Sequence, residues 1–215
     1  MKKQLVHKVG RGRPVDAAMR EKIISAAMRM FSERGLHATR MEHIARDLKI
    51  SKLTLYSRFE SKEELFSAVI EAKCEQYIPQ KLFAGLEGLS AQDSLFQIAF
   101  GLLQLLASEE ASGMERMLMG LDIKDGNELI MRFHKAGPAR IKSLIANHLR
   151  LLHQNNQLHI PDAELATNIF SSLIKGSEIC YRMHIGLKPK PTKKEMQHYS
   201  QQIVRVFILA HQKLT

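Results

Sequence analysis

At 215 residues the chain exceeds the usual single-domain size and can bury a substantial core in one large or two modest helical units. Its 45% hydrophobic and 25% charged residues exclude a disordered or fibrous chain, and its two cysteines, Cys74 and Cys180, exclude a disulfide framework and suit a reducing cytosol. Lys2 and Lys3 precede no signal-length apolar run, and no stretch approaches the ~18 apolar residues of a membrane span, so a cytoplasmic protein with no membrane partner is expected.

The formal charge of +10 is unevenly placed. Residues 1–62 hold fifteen Lys and Arg against six Asp and Glu, whereas the remainder holds seventeen against sixteen. Charge segregated in this way points to a polyanion such as DNA meeting the first third.

In chain order, residues 1–15 read as a flexible basic arm, with Lys2, Lys3, Lys8, Arg11 and Arg13 among Gly10, Gly12 and Pro14. Met19, Ile23, Ala27 and Met30 then recur at helical spacing, predicting a helix over about Ala17 to Arg34 that Gly35 stops. Thr39 with Glu42 has the spacing of a capping box ahead of a short helix with Met41, Ile44, Ala45 and Leu48 on its apolar stripe. After a break at Lys49-Ile50-Ser51, Ser51 can cap a third helix anchored by Leu55 and Phe59. Ser61 and Glu64 repeat the capping spacing and open a fourth helix through Leu65, Phe66, Val69 and Ile70.

Two short helices joined by a three-residue turn form the arrangement that lays a helix in the major groove. Ala45 is small where the helices must cross, Ile50 plugs the turn, and Lys52, Leu53, Thr54, Tyr56, Ser57 and Arg58 remain around the other faces of the second helix.

Beyond Pro79 the pattern stays helical, with helices expected near Ser90 to Ser108, Ala111 to Gly120, Gly126 to Gln154 with a bend at Gly137-Pro138, Asp162 to Leu187, and Thr192 to Gln212. Thr192 and Glu195 supply a further capping box. The fold class is therefore all-α: an N-terminal three-helix domain over residues 16–62 and a C-terminal helical domain over 63–215. Leu165, Ile169, Leu173 and Ile174, with Ile203, Val206, Phe207 and Ala210, offer apolar stripes on which two chains could join as a homodimer.

The run Phe31-Ser32-Glu33-Arg34-Gly35, then Thr39, Met41, Ile44-Ala45, Ser51 through Phe59, and Ser61-Lys62-Glu63-Glu64-Leu65-Phe66 resembles the N-terminal signature of the TetR family of transcriptional regulators. The C-terminal half faintly resembles the AefR-like branch. Where that family commonly has glycine, in the turn and before the recognition-helix threonine, this chain has Lys49 and Leu53. The resemblance implies binding to double-stranded operator DNA as a homodimer, with release by a small-molecule effector held among the C-terminal helices. It also implies phosphate contacts from Thr39, Arg40, Tyr56 and Lys62, and base-edge contacts from Lys52, Thr54, Ser57 and Arg58, with the arm's Arg11 and Arg13 adding charge; Leu53, a departure from the family, puts an apolar group where close backbone approach or a thymine methyl contact is expected.

For the effector, Phe100, Leu103, Met114, Met117, Phe133 and Phe170 could line an apolar pocket. The helices from Ser90 to Gln154 are rich in Leu, Met and Phe and show no anion-clamping arginine cluster, so an apolar or amphipathic ligand is expected. The ten histidines include no i, i+4 pair, and no serine elbow, P-loop or glycine fingerprint appears, so neither a metal, a cofactor nor an enzyme is expected. Two rivals stay open. A non-specific architectural DNA-binding protein would also use the basic arm, and a helical carrier could keep a vestigial helix-turn-helix.

Overall fold

Apolar residues at helical spacing need a partner face, and here helices alone supply it. The computed structural model describes residues 13–86, 88–119 and 123–212, and every regular element among them is helical. The arm expected over residues 1–15, Arg11 included, lies outside the described residues as far as residue 12.

Helix α1 spans Arg13–Ala38, beginning earlier than its apolar pattern because Pro14 sits in the first turn, where a missing N–H costs nothing. Gly35 breaks it as expected, at φ 79° and ψ 164°. Helix α2 is Met41–Asp47 and α3 is Lys52–Tyr56. The turn between them closes as a Schellman motif: Ile50 N donates to Ala45 O and Lys49 N to Arg46 O, both near 3.0 Å. Lys49 takes the left-handed position, φ 53°, that glycine would occupy without strain. Ala45 is buried at the crossing, and Leu55 and Phe59 are fully buried beneath the turn, although Phe59 lies past the end of α3.

The expected caps divide three ways. Thr192 and Glu195 form the complete reciprocal box at the start of α12, Lys193–Ala210. Ser61 caps α4, Lys62–Tyr77, through Glu64 N, but the Glu64 carboxylate turns to Glu60 N instead. Thr39 forms no box: the N-cap of α2 is Arg40, which makes no side-chain cap bond. The Thr39 hydroxyl points inward, donating toward Gly35 O at 2.8 Å and Met30 O at 3.2 Å, because burial leaves it only the carbonyls freed by the break at Gly35.

Downstream, α5 (Gln80–Ala84) is a short helix that the pattern did not predict. Helices α6 (Ala91–Leu106) and α7 (Glu109–Met119) follow as expected. The bend at Gly137-Pro138 is a π-helical turn over Lys135–Ala139 between α8, Ile123–His134, and α9, Arg140–Gln154. The helix expected from Asp162 to Leu187 is two helices, α10 (Ala163–Lys175) and α11 (Glu178–His184), since Gly176 ends the first and the Ser177 hydroxyl caps the second by accepting from Cys180 N.

One buried apolar cluster runs from Ile23 in α1 to Phe207 in α12. α4 belongs to both ends, packing against α1 on one side and against α6, α8 and the π turn on the other. Of the residues expected on the pairing stripes, Ile174, Ile203 and Phe207 are buried inside the chain, and Phe207 meets Phe170 edge-on at 4.9 Å. They complete the packing of α12 on α6 and α10 rather than facing a second chain.

Two glycines test the closeness of this packing. A Cβ on Gly101 of α6 would stand 2.6 Å from Tyr77 O, whereas one on Gly113 of α7 would meet nothing nearer than 3.8 Å. Gly101→Ala should destabilise by about 1–3 kcal/mol, while Gly113→Ala should be neutral or stabilise by up to about 1 kcal/mol, as read by urea unfolding. Lys49→Gly relieves a left-handed lysine at the cost of added chain entropy, so it should stabilise by about 0.5–1 kcal/mol on the same assay.

Candidate nucleic-acid interface and internal cavity

The outer surface of the helix-turn-helix is built by α2, the turn and α3. The Ser51 hydroxyl accepts from Thr54 N at 3.0 Å and shares a 2.8 Å bond with the Thr54 hydroxyl, so the first turn of α3 is capped and Thr54 is held by its neighbour. Lys52 and Leu53 project outward, Leu53 at 81% exposure, and Tyr56 and Ser57 are exposed beyond them. Lys52 Nζ lies 3.3 Å from the Glu42 carboxylate. The Glu42 backbone N–H, then Lys52, hold that carboxyl below its usual range. The pair ties α3 to α2 at the rim of the surface.

Arg40 is exposed at the start of α2, where helix N–H groups and a guanidinium together suit phosphate. Three expected contact residues are placed otherwise. Thr39 is fully buried, so its hydroxyl positions the start of α2 and reaches no DNA. Lys62 Nζ donates to Leu36 O at 2.9 Å, capping the carbonyl end of α1. Arg58 is half-buried, and its guanidinium donates back to Thr54 O at 3.0 Å. Arg13 is the first residue of α1.

Behind this surface lies a cavity of about 100 Å³ between α4, α6, α7, α8, the π turn, α9 and α10. Of the residues expected to line it, Met114 and Phe133 reach its wall. Leu103 and Phe170 are fully buried in the core, and Phe100 stacks on Phe96 at 5.9 Å. Met117 lies elsewhere, its sulfur accepting from Leu36 N at 3.2 Å.

Lys73 of α4 is missed by a sequence reading of the pocket's charge confined to the helices from Ser90 to Gln154: it stands on the wall at 6% exposure with its ammonium 3.2 Å from Glu110 and 5.0 Å from the Tyr77 ring centre. Its signal was in the sequence: Lys73 continues the stripe of Phe66, Val69 and Ile70 on α4, a lysine on an otherwise apolar face. Cys74 and Ser171 share the wall. Burial, opposed by Arg140, pushes the Cys74 thiol up to about 11, and burial raises Cys180 as well, so both stay protonated near neutral pH. Among the described residues no three His, Cys, Asp or Glu side chains gather as a metal site, and no helix is long and apolar enough to cross a membrane.

With this geometry in place, the chain can be set beside known proteins. Residues 23–69 match the model described as bacterial regulatory proteins, tetR family, and residues 93–213 match the AefR-like transcriptional repressor C-terminal domain. The HTH-type transcriptional regulator UidR of Escherichia coli K12 is 32% identical over 121 residues, 53% of this chain and 61% of UidR. The chain spans about half the length of the curated relatives it matches. Among solved structures, a TetR-family transcriptional regulator from Mesorhizobium loti aligns with TM-score 0.75 at 24% identity, over 92% of this chain and 98% of that one. The flavonoid-responsive regulator FrrA aligns with TM-score 0.67 at 28% identity, over 93% and 100%. Matched by family models at both ends, the latter over more than half its length, the chain belongs to the TetR family of DNA-binding transcriptional regulators.

Proposed function

We propose that the protein is a repressor that binds operator DNA as a homodimer and is released when a small amphipathic molecule enters the cavity. Residues 16–62 serve as the DNA-binding domain and residues 63–215 as the effector and dimerisation domain. One observation carries the reading. The cavity wall and the helix-turn-helix share helices that converge on Leu36: α4 supplies Ile70 and Lys73 to the wall and Lys62 to the Leu36 carbonyl, while α7 supplies Met114 to the wall and Met117 to the Leu36 N–H. A ligand that spreads α4 from α7 acts on the end of α1, next to the start of α2. Such a ligand shifts the equilibrium by its differential affinity for the two arrangements. The printed description of FrrA as flavonoid-responsive and the AefR-like repressor match support this reading.

On the DNA side, Arg40 and Tyr56 take phosphates, and Lys52, Leu53, Thr54 and Ser57 face base edges, joined by Arg58 when its guanidinium leaves Thr54 O. The basic arm, with Arg11 and Arg13, adds sequence-independent charge. For pairing, the outward residues of α10 and α12 are Leu165, Ile169, Val206 and Leu209, each at least 43% exposed. The two pairs, four residues apart on α10 and three apart on α12, form the apolar face left over once the core is complete.

Titration against the intergenic DNA beside the gene and against random duplex should give a specific preference of about 10³ or more, whereas an architectural protein would bind both alike. Within the operator, Leu53→Ala should cost about 1 kcal/mol per half-site, and replacing the contacted thymine by uracil should reproduce the loss, since each removes the same methyl contact. Equal loss on random DNA would remove Leu53 from the reading face. Leu165→Glu with Val206→Glu should yield a folded monomer by light scattering, with operator affinity lost and helical content kept; a surviving dimer would move the interface elsewhere.

A further inference from the structure

We infer that the cavity is built for a compact amphipathic acid, its anionic head seated on the Lys73 ammonium and the Ser171 hydroxyl and its apolar body against Met114 and Phe133. This deepens the proposed function and rests on the cavity being the effector site.

A lysine held at 6% exposure is costly unless something meets its charge. The partner it has, Glu110, is 41% exposed and outside the cavity wall, so that carboxylate can return to water while a ligand carboxylate takes its place. On α10, also lining the cavity, the Ser171 hydroxyl is buried and makes no hydrogen bond. A buried hydroxyl left so costs free energy that a ligand acceptor recovers. Two further ammonium groups, Lys142 and Lys175, stand on the wall. Lys142 is bonded to a neutral amide, Asn168 Oδ1 at 2.8 Å, and Lys175 lies 3.5 Å from Glu115, the one carboxylate on the wall. With Glu110 turned to water, the described wall residues carry three cations and one anion, which favours an acid over a base.

Size sets the other half of the specificity. About 100 Å³ is of the same order as the ~150 Å³ of an engineered cavity that takes benzene, which limits the body to a single ring with a small substituent or to a short chain. Lys73 and Ser171 are themselves buried, and at buried positions a charge-assisted bond carries more weight than in water.

The test is calorimetry on the full chain with three probes of one shape: 4-ethylbenzoate, 4-ethylbenzyl alcohol and 4-ethylbenzylammonium. The acid should bind at least about tenfold more tightly than the alcohol, and the ammonium more weakly than either. Lys73→Met should abolish the preference for the acid while leaving alcohol binding within about twofold, which also reports an intact cavity; Lys73→Arg should keep the preference. If Lys73→Met does not fold, Lys73→Gln gives the same readout. Ser171→Ala should weaken the acid several-fold and spare the alcohol. An alcohol that binds wild type as tightly as the acid, or an acid preference that survives loss of the Lys73 charge, overturns the anion assignment and leaves the cavity as effector site. Failure of all three probes to bind at millimolar concentration overturns the cavity reading together with it.

Discussion

The backbone of a single residue, Leu36, governs how the two halves of the molecule meet. Gly35 leaves helical geometry, so the last carbonyls of α1 lose their intrahelical partners and need others. Thr39 takes Met30 O and Gly35 O, Lys62 takes Leu36 O, and Met117 receives the Leu36 N–H. These bonds come from three elements: the approach to α2, the start of α4 and the end of α7. The break in one helix is thus the joint that orients the DNA-binding helices against the body. Because Leu36 is itself buried, none of these partners can be exchanged for water without cost.

That joint explains why residues which resemble DNA contacts by motif serve the interior. Lys62 and Thr39 stand at positions where the family signature is dense with polar residues, and a polar residue beside a helix terminus can face either solvent or the orphan backbone. Burial decides. Thr39 has no solvent to face, and Lys62 has an unpaired carbonyl within reach. Leu53, by contrast, is an apolar side chain with nothing beneath it, and at 81% exposure it has no role in the core. A large apolar group held outward on the recognition helix is explained by a partner that supplies apolar surface, which in the major groove is the thymine methyl.

Much of the fold was legible because helices announce themselves by period and punctuation. The stop at Gly35, the left-handed demand on Lys49, the cap at Ser51 and the bend at Gly137-Pro138 were all readable from residue type and spacing. What was not legible depends on three-dimensional competition. The Gly176-Ser177 break was present in the sequence, but a continuous apolar period from Ala163 to Met183 masked it. Ile203 and Phe207 show the same limit from the other side, since a stripe cannot say whether its partner lies in the same chain or another. The cavity was the least legible part. Its walls come from six α-helices and the π turn, and only packing reveals that Met114 and Phe133 meet there whereas Phe170 joins Phe207.

The cavity's chemistry follows from the same competition. A helix as buried as α4 ought to carry apolar residues at its inward positions, and with Leu65, Phe66, Val69, Ile70 and Cys74 it does. Lysine at the position between Ile70 and Cys74 is tolerated because its four-carbon stem lies along apolar neighbours and its ammonium reaches Glu110 and the Tyr77 ring. Replacing such a pair by apolar residues is commonly neutral or stabilising, so stability alone gives no reason for a lysine here. The unbonded hydroxyl of Ser171 is likewise a cost without a structural return. Two buried polar groups that the fold does not require, lining one cavity beside Met114 and Phe133, are what a site for an amphipathic molecule demands. Their placement on α4 and α10 joins that site to the helix that holds Leu36 and to the helix whose outer face carries Leu165 and Ile169. A ligand that draws Lys73 away from Glu110 would therefore load the DNA-binding joint and the pairing face through the same two helices.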